Sequence, residues 1–433
     1  MMEKINIFWF RRDLRLNDNI GLHYALQDGK AVLPIFIFDK NILDKLEDKD
    51  DARVNFLHDR ITEISKQLQK YGSSLCVFYG NPREVFEQLT TEYQIDGVYT
   101  NRDYEPYAKE RDSEIDAFLK IKNVGFYTFK DQVVFEKSEI LTDAGDFYKV
   151  FTPFKRKWIQ AFEQSNISSL GLPKPQAPFF QTDPFEIPSL AQMGFSPSNI
   201  PIPSAEVDES IIAQYDQTRD YPAKKGTTRM GIHLRFGTIS VRELALKAHK
   251  LNETYLSELI WREFYMMILY HNPQVVENAF KPQYDHIPWR DSEEDFNKWC
   301  EGKTGYPIVD AGMRELNQTG YMHNRVRMVV ASFLTKHLLI DWRWGEAYFA
   351  KKLLDFELAS NNGGWQWAAG TGTDAQPYFR VFNPSSQTDK FDKELKYIKK
   401  WVPEYGTSKY PKPMVEHKFA RQRAIDTYKE ALA

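Results

Sequence analysis

A chain of 433 residues with 57 Lys and Arg, 60 Asp and Glu and a net charge of −3 is too long for one compact core and is no polycation. Two or three domains are expected, and contact with nucleic acid would need a local basic face rather than an overall positive excess. The only cysteines, Cys76 and Cys300, exclude a four-cysteine cluster or zinc site and a disulfide framework. Met1-Met2-Glu3-Lys4 leads into an apolar run with no signal-peptide pattern, and no stretch approaches bilayer-spanning length, so a soluble cytoplasmic protein is expected.

In chain order, short apolar runs first alternate with amphipathic ones. Ile5–Phe10, Ala31–Phe38, Leu75–Tyr79, Gly97–Thr100 and Gly125–Phe129 read as buried parallel strands. Between them Asn19–Gln27, Val54–Lys70, Pro82–Tyr93 and Tyr107–Lys120 have helical periodicity, with Val54, Leu57, Ile61, Ile64 and Leu68 marking one buried face. The alternation predicts an α/β domain with a doubly wound parallel sheet over residues 1–130. No GxGxxG and no P-loop follows the first strand, which argues against an ordinary NAD dehydrogenase or NTPase. In that place stands Trp9-Phe10-Arg11-Arg12-Asp13-Leu14-Arg15-Leu16-Asn17-Asp18-Asn19, which by itself reads as a solvated turn of Arg–Asp pairs.

Residues 131–205 collect prolines between Pro173 and Pro203 and read as a long connector. Residues 206–433 are helical in pattern, giving an all-α second domain. Four of its segments carry unusual polar and aromatic residues. Gly226-Thr227-Thr228-Arg229-Met230-Gly231 offers amides, hydroxyls and a guanidinium beside a helix start, a composition suited to phosphate, although a capped helix with no ligand has the same signature. Glu258, Trp261, Arg262 and Tyr265 share one helical face, as do Asn324, Arg327 and Met328. The fourth segment, Leu353 to Pro384, concentrates Asp355, Asn361, Trp365 and Trp367 with an Asn-Asn-Gly-Gly run and a Gly-Thr-Gly-Thr-Asp turn. The histidines show no metal-ligand spacing, and no Gly-x-Ser-x-Gly arrangement appears, so hydrolase and metalloenzyme readings fall away.

These segments resemble the photolyase/cryptochrome family, most closely its class I cyclobutane pyrimidine dimer photolyases. WFRRDLRLNDN at Trp9–Asn19, ELIWREFY at Glu258–Tyr265, EGKTGYPIVDAGMREL at Glu301–Leu316, MHNRVRM at Met322–Met328 and NNGGWQWAAGTGTDAQPYFRVFNP at Asn361–Pro384 carry the likeness. The resemblance runs through nearly the whole chain and implies a monomeric enzyme whose helical domain holds FAD, working as FADH⁻. It implies light-driven electron donation to a cyclobutane pyrimidine dimer flipped out of UV-damaged DNA. Tyr215, Thr227, Thr228, Arg229, Met230, Gly231, Tyr255, Arg262 and Glu357 would bind the cofactor. Arg327 and Asp355 would pair beside its ring system, with Asn361 at N5 and with Glu258 and Asn324 near both cofactor and lesion. Trp261 and Trp367 would wall the two pyrimidines, Glu258 and Asn324 would hydrogen-bond them, and Met328 would complete the wall.

By the same resemblance Trp365, Trp342 and Trp289 would form a chain that photoreduces oxidised flavin. Arg219, Trp261, Arg262, Asn324, Arg325, Trp367, Arg380 and Gln387 would meet DNA. Met230-Gly231 departs from the Leu-Ser of many relatives. Tyr104-Glu105-Pro106-Tyr107 argues against a folate antenna and resembles members with a deazaflavin, a second flavin or none. The alternative is a cryptochrome photoreceptor without repair. The complete lesion-facing set and the short stretch after the last matching helix weigh against it.

Overall fold

The computed structural model describes residues 3–433, and the chain forms two compact units that interleave along the sequence. One comprises Met1–Glu136, Phe162–Glu206 and Met230–Lys247, and the other Lys137–Ala161, Val207–Arg229 and Ala248–Ala433. The consecutive division into 1–130, 131–205 and 206–433 therefore gives way to an interleaved one. Residues 230–247 pack with the α/β unit, and the stretch read as a connector contains the helix α5 (Phe151–Gln164).

In the α/β unit, β1 (Ile5–Phe10), β2 (Val32–Asp39), β3 (Cys76–Gly80), β4 (Ile95–Asn101) and β5 (Gly125–Phe129) form a parallel sheet of order β3-β2-β1-β4-β5. Every residue of β1 and β2 is buried, which is why these strands are apolar apart from Asn6 and Asp39 rather than alternating. Helices α1 (Ile20–Gln27), α2 (Ala52–Leu68), α3 (Pro82–Glu92) and α4 (Pro106–Ile121) make the crossovers. Asn19, Asp51 and Asn81 cap the first three by accepting backbone N–H bonds, and Pro82 and Pro106 occupy first-turn positions that need no N–H donor. On α2 the buried face uses Phe56, with Leu57 only half-buried.

The charged run after β1 is not a solvated turn. Arg11, Asp13, Arg15 and Asp18 are all buried. Arg15 Nη2 donates to Asp131 Oδ1 and Oδ2 at 2.8 and 2.9 Å and to the Asp18 carbonyl at 2.7 Å, and Arg242 Nη2 donates to Asp131 at 2.9 Å and to the Asp18 carbonyl at 2.6 Å. Asn101, at the end of β4, donates to Asp13 Oδ2 at 2.5 Å and to Asn19 Oδ1 at 2.8 Å. Burial pushes the Asp13 carboxyl up to about 6.

The second unit is helical. Its principal elements around the site are α6 (Glu253–His271), α7 (Pro307–Thr319), α8 (Asn324–Ser332), α9 (Trp342–Lys352) and α10 (Leu358–Ala369). A core of Trp299, Phe333, Trp342 and Trp365 lies among them. The Asn361-Asn362-Gly363-Gly364 run lies inside α10. Glycine within a helix costs about 1 kcal/mol relative to alanine, and here close approach requires it. A Cβ on Gly363 would fall 2.2 Å from the Tyr265 ring of α6, and one on Gly345 of α9 would fall 2.1 Å from the Trp365 ring. These contacts bring α6, α9 and α10 together around one cavity. Among the described residues no helix is long and apolar enough to cross a membrane.

Candidate functional site

A cavity of about 420 Å³ opens in the helical unit, within the usual size range for a small-molecule site. Helix α6 contributes Glu258, Trp261, Arg262 and Tyr265, α8 contributes Asn324, Arg327 and Met328, and α10 contributes Asn361, Trp365 and Trp367. Arg219, Asp355 and Glu357 add to its polar lining. Both sets predicted to share a helical face thus converge on one space.

The charges are arranged in pairs. Arg327 Nη2 donates to both oxygens of Asp355 at 2.9 and 3.1 Å, and Arg327 Nε donates to the Met322 carbonyl at 2.7 Å. Arg262 Nη2 lies 3.4 Å from Glu357 Oε2. Arg219 Nη1 donates to Glu258 Oε1 at 2.5 Å. Burial raises the Glu258 carboxyl above its ordinary range, and the nearby Arg219 charge only partly opposes this.

Two side chains are oriented by what lies behind them. The Asn361 amide donates through Nδ2 to the Glu346 carbonyl at 3.1 Å and to Glu346 Oε1 at 2.8 Å. A carbonyl can only accept, so the amide nitrogen faces Glu346 and the Asn361 Oδ1 is left for the cavity. Trp261 stacks face to face on Phe151, with ring centroids 3.7 Å apart and planes 9° from parallel.

Other predicted residues stand apart from this lining. Tyr215, Thr227, Thr228, Arg229 and Tyr255 are not among the cavity-lining residues and engage one another or nearby tyrosines. The Thr228 hydroxyl lies 2.8 Å from the Tyr255 hydroxyl, Thr227 lies 3.1 Å from that of Tyr321, and Tyr215 packs edge-on to Tyr255. Arg229 adopts a positive φ of 56° and lies over the Tyr321 ring. Met230 and Gly231, where α-helical geometry resumes at Gly231–Arg235, count with the α/β unit.

Trp365 contacts Phe349 and Trp299, at centroid distances of 5.0 and 6.0 Å, Trp342 is buried in the same core, and Trp289 packs at its edge against Tyr428. Arg325 pairs with Asp220 at 2.7 Å and lies over the Phe391 ring. Arg380 is exposed, and Gln387 is half-buried on the helix Pro384–Phe391.

Sequence reasoning missed several groups around the cavity. Leu353, Phe356 and Ser360 line it; Phe356 and Ser360 adjoin predicted residues and Leu353 stands two before Asp355, so proximity to Asp355 and Asn361 was the available signal. Glu346 and Phe151 act from behind, and no local pattern marks either.

The lining fits a flavin nucleotide. A cavity of this size offers the Arg262 and Arg327 cations for negative charge, an Asn361 carbonyl acceptor and aromatic walls. In its wall, Trp365 has its indole N–H buried without an acceptor among the described residues. Residues 255–408 match the FAD binding domain of DNA photolyase, and residues 6–178 match the DNA photolyase family. The chain is 36 % identical to the deoxyribodipyrimidine photo-lyase of a Synechococcus species, covering 99 % of this chain and 97 % of that one. It is similar to a bacterial class III photolyase from Agrobacterium tumefaciens (34 % identity, 100 % and 98 % of the two chains covered, TM-score 0.87). It is also similar to an archaeal photolyase from Sulfolobus tokodaii with two FAD molecules (36 % identity, 98 % and 99 % covered, TM-score 0.82). Agreement of fold, cavity and full-length sequence leads to one conclusion: the chain belongs to the photolyase/cryptochrome family.

Proposed function

We propose that this protein is a deoxyribodipyrimidine photo-lyase that uses light to reverse cyclobutane pyrimidine dimers in DNA. The observation that carries the reading is the convergence of Glu258, Trp261, Asn324, Met328 and Trp367 on the cavity that also contains Asn361 and the Arg327–Asp355 pair. When bound, reduced FAD supplies an electron donor that light makes strong enough to open the cyclobutane ring. The chain's own residues do the rest. Trp261 and Trp367 offer flat apolar walls to the two linked pyrimidines of a dimer removed from the stack. Asn324 presents an amide to a pyrimidine edge. Arg327 and Arg262 favour negative charge on the cofactor, and Asn361 offers its carbonyl to a flavin N–H. Trp365, Trp342 and Trp289 are the proposed route for reducing oxidised flavin. Arg219, Arg325, Arg380 and Gln387 are proposed for the DNA strand, and the loop Thr227–Gly231 with Tyr215 and Tyr255 for the cofactor phosphates. For the antenna the proposal is a deazaflavin or a second flavin rather than a folate, or none.

Glu258 is proposed to donate through a protonated carboxyl to a pyrimidine oxygen as charge develops there. Because burial raises its ionisation above the usual carboxylate range, the protonated form persists to higher pH and is lost as pH rises through the raised value. Affinity for a dimer-containing oligonucleotide should therefore fall on the alkaline side in the wild type. Glu258→Gln, which keeps an N–H donor at every pH, should flatten that limb. Superimposable pH profiles would remove the proton-donor role.

The deciding experiment is illumination of single- and double-stranded oligonucleotides carrying one thymine dimer, with the flavin pre-reduced and a dark control, and restored thymines measured by chromatography. Light-dependent restoration in both is expected. No restoration with fully reduced flavin would transfer the assignment to the photoreceptor reading.

A further inference from the structure

The Gly370-Thr371-Gly372-Thr373-Asp374 turn follows directly on the helix that carries Trp367. The Thr373 hydroxyl donates to the Lys149 carbonyl at 2.6 Å, and the Phe151 backbone N–H donates to Asp374 Oδ2 at 3.0 Å. The turn therefore holds both sides of the entry to α5. Asp374 does this from a left-handed backbone conformation with φ of 45°. That state is disfavoured for side chains other than Gly, Asn and Asp, so an Asp here combines tolerance of the conformation with an acceptor for the first helical N–H.

Downstream of that anchor, α5 lies along α6. Trp158 Nε1 donates to Glu263 at 2.5 Å, Lys155 pairs with Glu253 at 2.7 Å, and Phe154 packs on Phe264 with ring centroids 5.3 Å apart. At its start, Phe151 is stacked flat on Trp261, 3.7 Å away and 9° from parallel, while its own ring meets Phe264 edge-on. Phe151 is itself buried and is not part of the cavity lining. One face of the Trp261 indole is thereby sealed, Phe264 and Tyr265 lie against the ring at 5.6 and 5.4 Å, and what remains of it lines the cavity. A face-to-face partner also removes the rotational freedom that an indole on a helix would otherwise have.

Trp261 and Trp367 stand on helices that already pack together at Gly363 and Tyr265, but the plane of the Trp261 ring needs a further link. We propose that Phe151 and Asp374 are positioning residues that supply it. The turn after the Trp367 helix fixes the start of α5, and Phe151 at that start fixes the plane of Trp261. The inference rests on the lesion-binding reading of the cavity and adds to it two residues that touch neither cofactor nor lesion.

The test uses the flavin-loaded full-length protein and measures the ratio of affinities for a single-stranded oligonucleotide with one thymine dimer and the same undamaged strand. Flavin content and melting temperature are the controls. Phe151→Leu should reduce that ratio by about tenfold, since it removes the backing of one stacking wall while leaving the wall present. Phe151→Tyr should restore it. Asp374→Ala should reduce the ratio severalfold, and Asp374→Asn, which keeps both an acceptor and the backbone tolerance, should restore it. A purely structural role would lower melting temperature without moving the ratio, and that result overturns the proposal. Should Phe151→Leu lose its flavin, the Asp374→Ala and Asp374→Asn pair, at an exposed position, decides by the same ratio. Trp261→Ala is run alongside. If it loses discrimination while the Phe151 and Asp374 variants keep it, the link is refuted and the cavity reading survives. If it too keeps discrimination, the cavity reading itself fails and the inference with it.

Discussion

Replacing Trp261 by alanine should weaken binding of a dimer-containing oligonucleotide roughly tenfold to a hundredfold, because aromatic stacking contributes about 1–3 kcal/mol per base. Flavin content should be unchanged. The groups proposed to hold the cofactor ring, Arg327, Asp355 and Asn361, are anchored on other elements and have their own partners in Met322 and Glu346. The loss should exceed that of an ordinary exposed aromatic, since Trp261 is held flat by Phe151 and so presents one face without further ordering. Trp367→Ala, at the other tryptophan proposed to wall the lesion, should have a comparable effect. Fluorescence anisotropy with dimer and undamaged strands checks this, with the flavin absorbance as the internal standard. A Trp261→Ala protein that binds the dimer strand as tightly as wild type would remove the stacking role.

The second large effect is on stability. Asp131 is 2 % exposed and accepts from both Arg15 and Arg242. Removing one partner of a buried ion pair is costly because the other charge is left uncompensated, so Asp131→Ala should destabilise the α/β unit by about 3 kcal/mol. The lower end of the usual range applies, because Arg242 keeps Asp18 at 2.9 Å. Burial by itself would raise the Asp131 carboxyl, but the two guanidiniums and their hydrogen bonds outweigh it and hold it below the usual range. A carboxylate depressed in the folded state gives stability that is present above its unfolded value and lost as pH falls through the folded value. The gap between wild type and Asp131→Ala should therefore be full near neutrality and close in strong acid. Thermal unfolding followed across pH checks both claims. An unchanged melting temperature at pH 7, or a gap independent of pH, would show that the network contributes nothing of the kind.

Hydrophobic period carried much of the fold. The strands of the α/β unit could be located to within two residues of their ends: β1 and β2 are buried on both faces and read as apolar runs, and the half-buried β5 still stands out by its aromatic residues. The faces of α6 and α8 were equally legible, since residues three and four apart on a helix must share a side. Glu258, Trp261 and Arg262 share one side of α6 and Asn324, Arg327 and Met328 one side of α8, as their spacing implied, but that both sides face one cavity is decided by tertiary packing. Polar runs were less informative. WFRRDLRLNDN has the composition of a solvated turn, and nothing local shows that Asp131 and Arg242, 111 residues apart, close over it.

The same limit applies to glycine and to the connector. Nothing local explains the Gly363 glycine inside a helix; the Tyr265 ring of another helix occupies the space a side chain there would need. The connector read as a passage between domains contains the helix whose first residue backs Trp261. Periodicity determines which residues of one element face the same way, because that depends only on backbone geometry. Which charges are buried, which aromatic is held flat and which atom of Asn361 faces the cavity depend on contacts between segments far apart in the chain. The tertiary structure alone decides those.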